Sequence, residues 1–427
     1  MIDYRELKTR RDEIALNIKN RNMKVDIDEV IGLSDKRSDL MHKAEELRNA
    51  RNLNAQKMKG KMDNDARQAL IAEGREIKEG IASVEAELES VEKEYDALLR
   101  QVPNYAHPSA PVGKEDKDNT AIKYVGKPPV FSFKAKDHVV LGEINDMIDF
   151  DTATKVSGPK FYYLKNDAVL LQMALENYAM TIVTKHGFTP VITPDVAKEE
   201  ILEGIGFNPR GAESNIYTVE GTGLALVGTA EITLGGYLSD KTLNKSDLPI
   251  KMTGLSHCFR REAGGAGQYS KGLYRVHQFS KLEMFIFCLP EDSDSFHDEL
   301  LSIEEEIFSG LGLAYRVVDT CTGDLGAPAY RKFDIEAWMP GRGEEGEYGE
   351  VTSTSNCTDY QARNLNIRYK DDDGKTKYVH MLNGTAVALS RAMVAVMENY
   401  QNEDGTITVP QALVPFMGGK TLLGKIK

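Results

Sequence analysis

A heptad repeat of apolar residues between residues 77 and 98 constrains the fold of the N-terminal segment more than any other feature of the sequence. Its members alternate at spacings of four and three residues: Ile77, Ile81, Val84, Leu88, Val91, Tyr95 and Leu98. This spacing is typical of an α-helix that packs along its length against another helix. No proline occurs before Pro103, so the segment is predicted to form long, uninterrupted helices.

A looser version of the same repeat precedes it and has polar residues at some seam positions. The apolar members are Val30, Leu33, Leu40, Ala44, Leu47 and Met58, and the polar ones are Arg37, Arg51 and Asn54. Residues 62–65 have the composition of a turn and a helix N-cap. Two helices of similar length joined by a tight turn predict an antiparallel hairpin. From residue 30 to 61 the arm would be roughly 48 Å long at about 1.5 Å per residue.

The charge of this hairpin is unevenly distributed. Residues 47–62 carry five basic and no acidic residues, whereas residues 63–99 carry eleven acidic residues against four basic ones. The helical pattern alone fits a passive dimerisation coiled coil equally well, but a basic strip at the far end of an arm favours a surface that faces phosphates. The candidate nucleic-acid contacts, called the basic strip below, are Arg48, Arg51, Lys57, Lys59 and Lys61.

Composition excludes several classes of protein. No apolar stretch approaches the roughly 18–20 residues of a membrane-spanning helix, so we expect no membrane association. The formal net charge of −13 offers phosphate no general attraction, and any nucleic-acid contact must come from a locally basic surface. The four cysteines lie far apart without a C-x-x-C pair, which predicts reduced, buried thiols and no zinc site.

The N-terminal residues give information about the subcellular location of the protein. It has no apolar core of a secretory signal, and its acidic residues are unlike an acid-poor transit peptide: Asp3, Glu6, Asp12 and Glu13. We therefore expect a cytoplasmic protein. The alternative is a mitochondrial or plastid protein whose presequence has been removed.

The rest of the chain has a different periodicity. Prolines concentrated in residues 103–130 predict a linker. Beyond it, short strand-like runs alternate with amphipathic helices and Gly-rich connections, which predicts an α+β domain on a mainly antiparallel β-sheet flanked by helices. The clearest helices are predicted at 168–186, 292–311 and 385–400, and the clearest strands at 285–288 and 314–318.

Three segments resemble the signature motifs of class II aminoacyl-tRNA synthetases. Residues 168–196, a helix followed by Gly187 and a strand containing Thr193-Pro194-Asp195, resemble motif 1, the dimer-interface element. Residues 258–264 and 272–279 (CFRREAG and GLYRVHQF) resemble motif 2, two antiparallel strands joined by a Gly-rich loop. Residues 382–391 (LNGTAVALSR) resemble motif 3, a strand running into a helix that begins near Gly384.

Within that class, the chain resembles the seryl-tRNA synthetase family. Residues 228–231 resemble the family's amino-acid-binding loop, 277–283 the strand with its serine-binding carboxylate, and 350–357 its ATP and metal segment, while the hairpin resembles its tRNA-binding arm. The resemblance implies a tRNA-binding domain at 1–102, a linker at 103–130 and a catalytic domain at 131–427. It implies a serine–tRNA ligase that forms seryl-adenylate and pyrophosphate from L-serine and ATP. Serine then passes to tRNA(Ser), and to tRNA(Sec) where the host has it.

The resemblance also assigns roles to residues. Serine would be bound by Thr229, Ala230, Glu231, Glu283 and Thr385. ATP would be bound by Arg260, Arg261, Glu262, Val276, Glu350, Val351, Thr352, Ser353 and Arg391, of which Arg260 and Arg391 are the catalytic candidates. A guanidinium suits this chemistry because its rigid fork bonds carboxylate and phosphate oxygens together. The alternative for Arg260 is an ion pair with Glu262 or another neighbour.

The expected cofactor is Mg²⁺, which prefers oxygen ligands and retains several waters. Glu350 and Ser353 are the candidate ligands, although the acidic run at 344–347 shows that acids here can simply be solvated. Thr385 stands where many family members carry Ser, and its extra methyl group bears on the packing around serine. The motif 1 resemblance implies a homodimer.

Three rival functions remain at this point. A homologue that loads an amino acid onto a carrier protein would lack the helical arm, and a catalytically inactive paralogue would not need every matched site residue. A purely structural coiled-coil protein would not account for residues 131–427.

Overall fold

The computed structural model describes residues 1–207, 214–263 and 270–424. The chain divides into two compact units, Met1–Tyr105 and Ala106–Lys427. Residues 264–269, which include Gly264 and most of the predicted Gly-rich loop of motif 2, lie outside the described residues. No helix in the described part of the chain is both long and apolar enough to cross a membrane.

The described residues form α-helices of very different lengths. They are α1 (Arg11–Asn20), α2 (Ile27–Lys57), α3 (Asn64–Leu99), α4 (His138–Ile144), α5 (Phe150–Ser157), α6 (Asp167–Lys185), α7 (Glu199–Ile205), α8 (Ala230–Gly236), α9 (Ser293–Gly310), α10 (Tyr360–Leu365) and α11 (Leu389–Asn399).

The strands, apart from β1, follow α4 and are interspersed with the later helices. They are β1 (Thr120–Val125), β2 (Ile148–Asp149), β3 (Tyr163–Leu164), β4 (Thr189–Ile192), β5 (Val196–Lys198), β6 (Thr218–Val219), β7 (Leu224–Leu226), β8 (Thr242–Asn244), β9 (Ile250–Phe259), β10 (Gln278–Cys288), β11 (Tyr315–Asp319), β12 (Arg331–Met339), β13 (Glu347–Asn356), β14 (Arg368–Lys370), β15 (Thr376–Tyr378), β16 (His380–Ala388), β17 (Ile407–Thr408) and β18 (Leu422–Leu423).

The first unit is dominated by the hairpin of α2 and α3. The predicted turn between them is confirmed, since the Asp63 side chain caps α3 by accepting from the Ala66 N–H. Seam residues of both helices are buried, including Val30, Leu40, Ala44, Ile77, Ile81, Val84, Val91 and Tyr95. At the base of the arm Leu99 is buried and Leu98 only partly so. A straight helix of about 3.6 residues per turn drifts from a 3.5-residue repeat, so the last predicted seam position shifts by one.

The polar seam positions have different environments. Asn54 is buried, and its Nδ2 donates to the Leu70 carbonyl at 3.1 Å and to Glu73 at 2.9 Å across the hairpin. Arg37 forms an ion pair with Glu92 at 3.0 Å, whereas Arg51 is exposed. Asn54 is therefore a buried polar residue near the tip of the hairpin, with two hydrogen bonds to the opposite helix.

The second unit is built on an eight-stranded sheet in the order β1-β11-β12-β13-β16-β10-β9-β4. Every neighbouring pair is antiparallel except β4 and β9, which are parallel. The predicted α+β class with a mainly antiparallel sheet is thus confirmed. Apolar residues of α6, α9 and α11 form one large core with the sheet, and the other face carries a second core with α7, α8 and α10.

Two predicted boundaries were wrong. The helix predicted at 385–400 begins at Leu389, because residues 380–388 pair as β16 with β10 and β13. Its N-cap, Ala388, offers no side-chain hydrogen bond, so the sequence carries no capping signal at the true start. The strand predicted to contain Thr193-Pro194-Asp195 ends at Ile192, and these three residues follow it.

Candidate functional site

The candidate site lies on four adjacent strands of the large sheet, β9, β10, β16 and β13. A cavity of about 590 Å³ reaches this region and shares Tyr274, Arg275, Glu350 and Arg391 with the smallest of three neighbouring cavities. The other two lie on these strands, a larger one of about 290 Å³ and a smaller one of about 100 Å³. They share four wall residues, Arg260, Lys281, Ser353 and Thr385. The motifs recognised separately in the sequence therefore meet at one place.

Glu283 is the central group of the larger cavity. Its carboxylate pairs with Lys281 Nζ at 2.6 Å and accepts from the hydroxyls of Thr229 at 3.4 Å and Thr385 at 3.3 Å. All four side chains are buried. A β-bulge between Leu282 and Glu283 sets the register in which Glu283 faces Thr385. The result is a buried acceptor surrounded by hydroxyl groups.

A second carboxyl group, Glu231, lines the same cavity. It lies in the first turn of α8, where Thr229 is the N-cap and Ala230 is buried. Its Oε1 accepts from Gln361 Nε2 at 2.8 Å and from Asn383 Nδ2 at 3.1 Å. Burial raises the pKa of Glu231 to about 7, and the negative charge of Glu283 acts in the same direction. Among the described residues, the hydrogen-bond partners of the Glu231 side chain are therefore neutral amide groups, and none of them is a cation.

Arg260 stands where the two cavities meet. Its Nε donates to the Gly228 carbonyl at 3.1 Å, and its guanidinium lies 5.4 Å from the centre of the Phe279 ring. The alternative ion pair with Glu262 is not formed, because Glu262 pairs with Arg275 at 2.9 Å. Carboxylate and phosphate ligands are the groups that such an arginine can bind with its remaining donors.

Glu262 is held in an unusual conformation beside the smaller cavity. Its φ of 50° lies in the left-handed region, which is uncommon for a residue with a side chain and is found preferentially at functional sites. Val276, also in the cavity wall, is buried. Arg261 is exposed and does not belong to the lining of either cavity. The structure therefore brings Glu262 and Val276 together and leaves Arg261 outside.

Arg391 and Glu350 form the far wall of the smaller cavity. Arg391 Nη1 is 3.0 Å from a Glu350 carboxylate oxygen, and Arg391 lies over the Tyr274 ring at 4.7 Å. Burial alone would raise the pKa of Glu350, but Arg391 and Lys332 hold it below its ordinary value. Glu350 is therefore held as an anion beside Arg391.

Ser353 accompanies Glu350 in the wall of that cavity. Residues three apart on a regular strand face opposite sides of the sheet. Here the pairing of β12 with β13 shifts between Ile335 and Glu336, which inserts Val351 as an extra residue in β13. One carboxylate and one hydroxyl can therefore share a face, a set that suits Mg²⁺ with its waters and phosphates. The described residues contain no cluster of three or more His, Cys, Asp or Glu residues that could hold a metal by themselves.

In the N-terminal unit, the basic strip follows the distal part of the hairpin. Arg48 forms an ion pair with Glu85 at 2.7 Å. The other four residues of the strip, Arg51, Lys57, Lys59 and Lys61, are exposed. Arg48 must therefore leave Glu85 before it can bind another group. The other four residues are exposed and do not pair with Glu85.

Sequence reasoning missed several residues of the site. Lys281 could have been found, because it lies two positions before Glu283 on one strand and therefore on the same face. Asn383 lies within the recognised motif 3, but Gln361 comes from α10, which matched no motif. Arg275 and Tyr274, which contact Glu262 and Arg391, lie in the returning half of motif 2.

Comparisons with known protein families agree with this geometry. Residues 1–106 match the model described as the seryl-tRNA synthetase N-terminal domain. Residues 217–400 match the model described as the tRNA synthetase class II core domain (G, H, P, S and T).

Individual relatives match over the full length. The serine–tRNA ligase of Treponema denticola is 63% identical over 98% of this chain and 99% of its own. That of Treponema pallidum is 51% identical over 100% of both chains. The crystal structure of seryl-tRNA synthetase from Pyrococcus horikoshii complexed with ATP superposes with a TM-score of 0.89 at 39% identity, covering 100% of both chains.

The chain belongs to the seryl-tRNA synthetase family. The family predicted from the motifs is confirmed, and with it the activity of an aminoacyl-tRNA synthetase whose amino acid is serine. The rival function as a purely structural coiled-coil protein is excluded. The roles of single residues remain predictions.

Proposed function

We propose that the larger cavity binds serine, with Glu283 accepting a hydrogen bond from the substrate hydroxyl. The observation that carries the proposal is the buried carboxylate between the hydroxyls of Thr229 and Thr385. An amino acid without a hydroxyl leaves this buried acceptor short of a donor. A site of this kind discriminates against an analogue that lacks the hydroxyl group by a factor on the order of 10⁴ to 10⁵.

The ammonium group of serine is assigned to Glu231. Its oxygen is already oriented by Gln361 and Asn383, which supports a fixed acceptor at this position. Thr229 caps α8 through the Glu231 N–H at 3.2 Å, and with Ala230 it forms the loop around the amino end of the substrate. Lys281 already pairs with Glu283, and the positive ammonium compensates the second carboxylate of the cavity, Glu231.

Arg260 is assigned to the reacting groups. A serine carboxylate oxygen attacks the α-phosphorus of ATP, a bond to the α-phosphate forms, and pyrophosphate leaves. Both reactants are anions, so a guanidinium that bonds one oxygen of each offsets their repulsion and aligns the attack. The position of Arg260 in the walls of both cavities supports this role. The attacking carboxylate is already ionised, so no general base is required.

The smaller cavity, together with the adjoining cavity of about 590 Å³ that shares Glu350 and Arg391 with it, is assigned to ATP. Glu262 accepts from the adenine amino group, Val276 packs on the base, and residues 350–353 line the nucleotide. Arg261, exposed beside Glu262, is retained as a nucleotide contact only on the basis of motif 2. Arg391 leaves Glu350 and binds the γ-phosphate, stabilising the departing pyrophosphate.

Glu350 and Ser353 are assigned to Mg²⁺. When bound, the cation neutralises phosphate charge rather than activating a water molecule. The low pKa of Glu350 keeps it ionised for this purpose.

The arm is assigned to tRNA(Ser). The exposed residues of the basic strip support phosphate contacts in a chain whose net charge is −13. Residues 1–102 dock the tRNA. Serine is then transferred to the 3′-terminal adenosine of tRNA(Ser), and of tRNA(Sec) where that tRNA exists. Residues 103–130 connect the domain at 1–102 to the catalytic domain at 131–427, and within them β1 also pairs with β11 in the catalytic sheet.

A homodimer is also proposed, on the motif 1 segment. Large apolar side chains are exposed on α6 and just beyond it: Val169, Leu170, Met173, Ile192 and Val196. Large apolar side chains exposed together on one segment favour an interaction surface there. Light scattering should give about two chain masses at micromolar concentration, and a single chain mass would contradict the assignment. The bacterial relatives favour the cytoplasm as the location.

The test of the serine site is Glu283→Ala. We expect serine-dependent ATP–pyrophosphate exchange to fall by at least about 10³-fold, because both the acceptor and the partner of Lys281 are lost. Circular dichroism and thermal unfolding control for the fold. The matched control is Glu306→Gln on the exterior of α9, which should exchange at the normal rate. Normal exchange in Glu283→Ala would remove Glu283 from the site.

A further inference from the structure

Glu304 on α9 is a buried acid that the mechanism above does not use. Its side chain has no exposed surface, and neither carboxyl oxygen makes a regular hydrogen bond with any residue in the described part of the chain. An unpaired buried carboxylate is very costly, so the neutral acid is the stable form. Burial raises the pKa of Glu304 well above its ordinary value, and the charges of Glu283 and Asp334 add to the effect.

The carboxyl group lies directly behind the wall of the larger cavity. A Cβ atom added at Gly384 would be 3.0 Å from Glu304 Oε1, so the acid packs against the backbone next to Thr385. The Thr352 hydroxyl interacts with the Glu304 carboxyl and also donates to the Thr385 carbonyl. Thr385 in turn presents its own hydroxyl to Glu283 at 3.3 Å.

We propose that Glu304 is a positioning residue for serine recognition, acting through Thr352 and Thr385. A neutral acid has one O–H to give, and the Thr352 oxygen can accept it while its own single hydrogen goes to the Thr385 carbonyl. The hydroxyl groups of Thr352 and Thr385 then each have one defined orientation. The backbone of β16 is thereby held where Thr385 meets Glu283 and the substrate hydroxyl.

The groups around Glu304 are consistent with a neutral acid. Lys281 on β10 is already paired with Glu283 at 2.6 Å, and Asp334 on β12 repels a second anion. On α9 itself, His297 contacts the Thr354 carbonyl at 3.1 Å, and burial lowers its pKa to about 4, so it is neutral. Tyr178 of α6 bonds to the Ile307 carbonyl at 3.1 Å. None of these groups neutralises an ionised Glu304.

The test compares Glu304→Leu with Glu304→Gln in ATP–pyrophosphate exchange. Leucine fills the space without a donor, and we expect the KM for serine to rise about tenfold while the KM for ATP stays within twofold. Glutamine retains a neutral donor and should restore the KM for serine to within about threefold of the wild type. Glu306→Gln, a surface change on the same helix whose wild-type residue contacts His186, is the control.

An unchanged KM for serine in Glu304→Leu would overturn the proposal. So would a rise in both KM values that Glu304→Gln does not reverse, since that is the result of a merely structural role. The inference rests on the assignment of the serine site, and the two can fail separately. If Glu283→Ala exchanges normally, the site assignment fails; if Glu283→Ala is inactive but Glu304→Leu behaves as wild type, only the inference fails.

Discussion

Two carboxyl groups line one cavity, and their surroundings give them different properties. Glu283 has a lysine partner, Lys281, at 2.6 Å, whereas Glu231 accepts from the neutral amides of Gln361 and Asn383. A buried anion with amide donors alone is incompletely compensated. On the proposed assignment, the ammonium of serine places a further cation next to Glu231, which couples the proton of Glu231 to substrate binding.

This coupling predicts a pH dependence for serine activation. Because the pKa of Glu231 is raised to about 7, the free enzyme carries a neutral acid here below that pH and a carboxylate above it. The ammonium requires the carboxylate, so kcat/KM for serine should fall by about tenfold per pH unit well below pH 7. Pyrophosphate exchange between pH 5.5 and 8.5 at subsaturating serine measures it.

Glu231→Gln is the matched control for that profile. It removes the titrating group, so its kcat/KM for serine should be low and independent of pH over the same range. A wild-type profile that is flat from pH 5.5 to 8.5 would contradict the role given to Glu231.

At the scale of elements, the arm shows how one polar residue fixes the pairing of two helices. Asn54 is buried in a seam of apolar residues, and a Cβ atom at Gly74 would lie 3.2 Å from its Oδ1. A larger residue at position 74 would press against this asparagine, so glycine suits the position. Buried asparagines in coiled coils specify register at a cost in stability.

The change Asn54→Leu tests this account of the arm. It should raise the free energy of unfolding by about 1 kcal/mol, because an apolar side chain replaces a buried amide. It should also lower kcat/KM for tRNA, since the tip of the hairpin loses its single register, while pyrophosphate exchange stays normal. Urea unfolding and aminoacylation assays measure the two effects. Lower stability together with normal charging would contradict the account.

The basic strip makes a separate prediction. Changing Lys57, Lys59 and Lys61 to Gln should weaken tRNA binding and flatten its dependence on salt. Each lost phosphate contact reduces the log–log slope by roughly 0.7 to 0.9. Titrations by fluorescence at several salt concentrations measure the slope.

A control of equal charge is available in the same unit. Lys8, Lys36 and Lys93 form ion pairs with Asp35, Glu87 and Glu89, so changing these three to Gln should alter the slope much less. Equal slopes in the two triple variants would show that the strip is only a solvated face.

The same elements show what could be predicted from the sequence. The heptad repeat predicted α2 and α3 because each helix buries one narrow stripe. The boundary between β16 and α11 could not be predicted, because residues 384–388 are small or β-branched and Ala388 provides no cap. Motif matches located Glu283 and Arg391, but Gln361 contacts Glu231 from a helix with no recognisable pattern.

At the scale of the whole molecule, the residues divide into two groups. Every residue assigned to serine and ATP lies in Ala106–Lys427, and every residue of the basic strip lies in Met1–Tyr105. The net charge of −13 gives the chain little general attraction for RNA. We therefore predict that activation requires the second unit alone and that charging requires the arm as well.

The most direct measurement removes the outer part of the arm. Deleting residues 41–87 and joining Leu40 to Leu88 through a short Gly-Ser turn keeps these two residues, which contribute to one apolar cluster of the hairpin. Serine-dependent pyrophosphate exchange and aminoacylation of tRNA(Ser) are then measured on the same preparation. The account predicts exchange within about threefold of the full chain and charging reduced by at least about 10²-fold, because several phosphate contacts are lost. Charging at the full-length rate, or loss of exchange in a protein that remains folded, would contradict it.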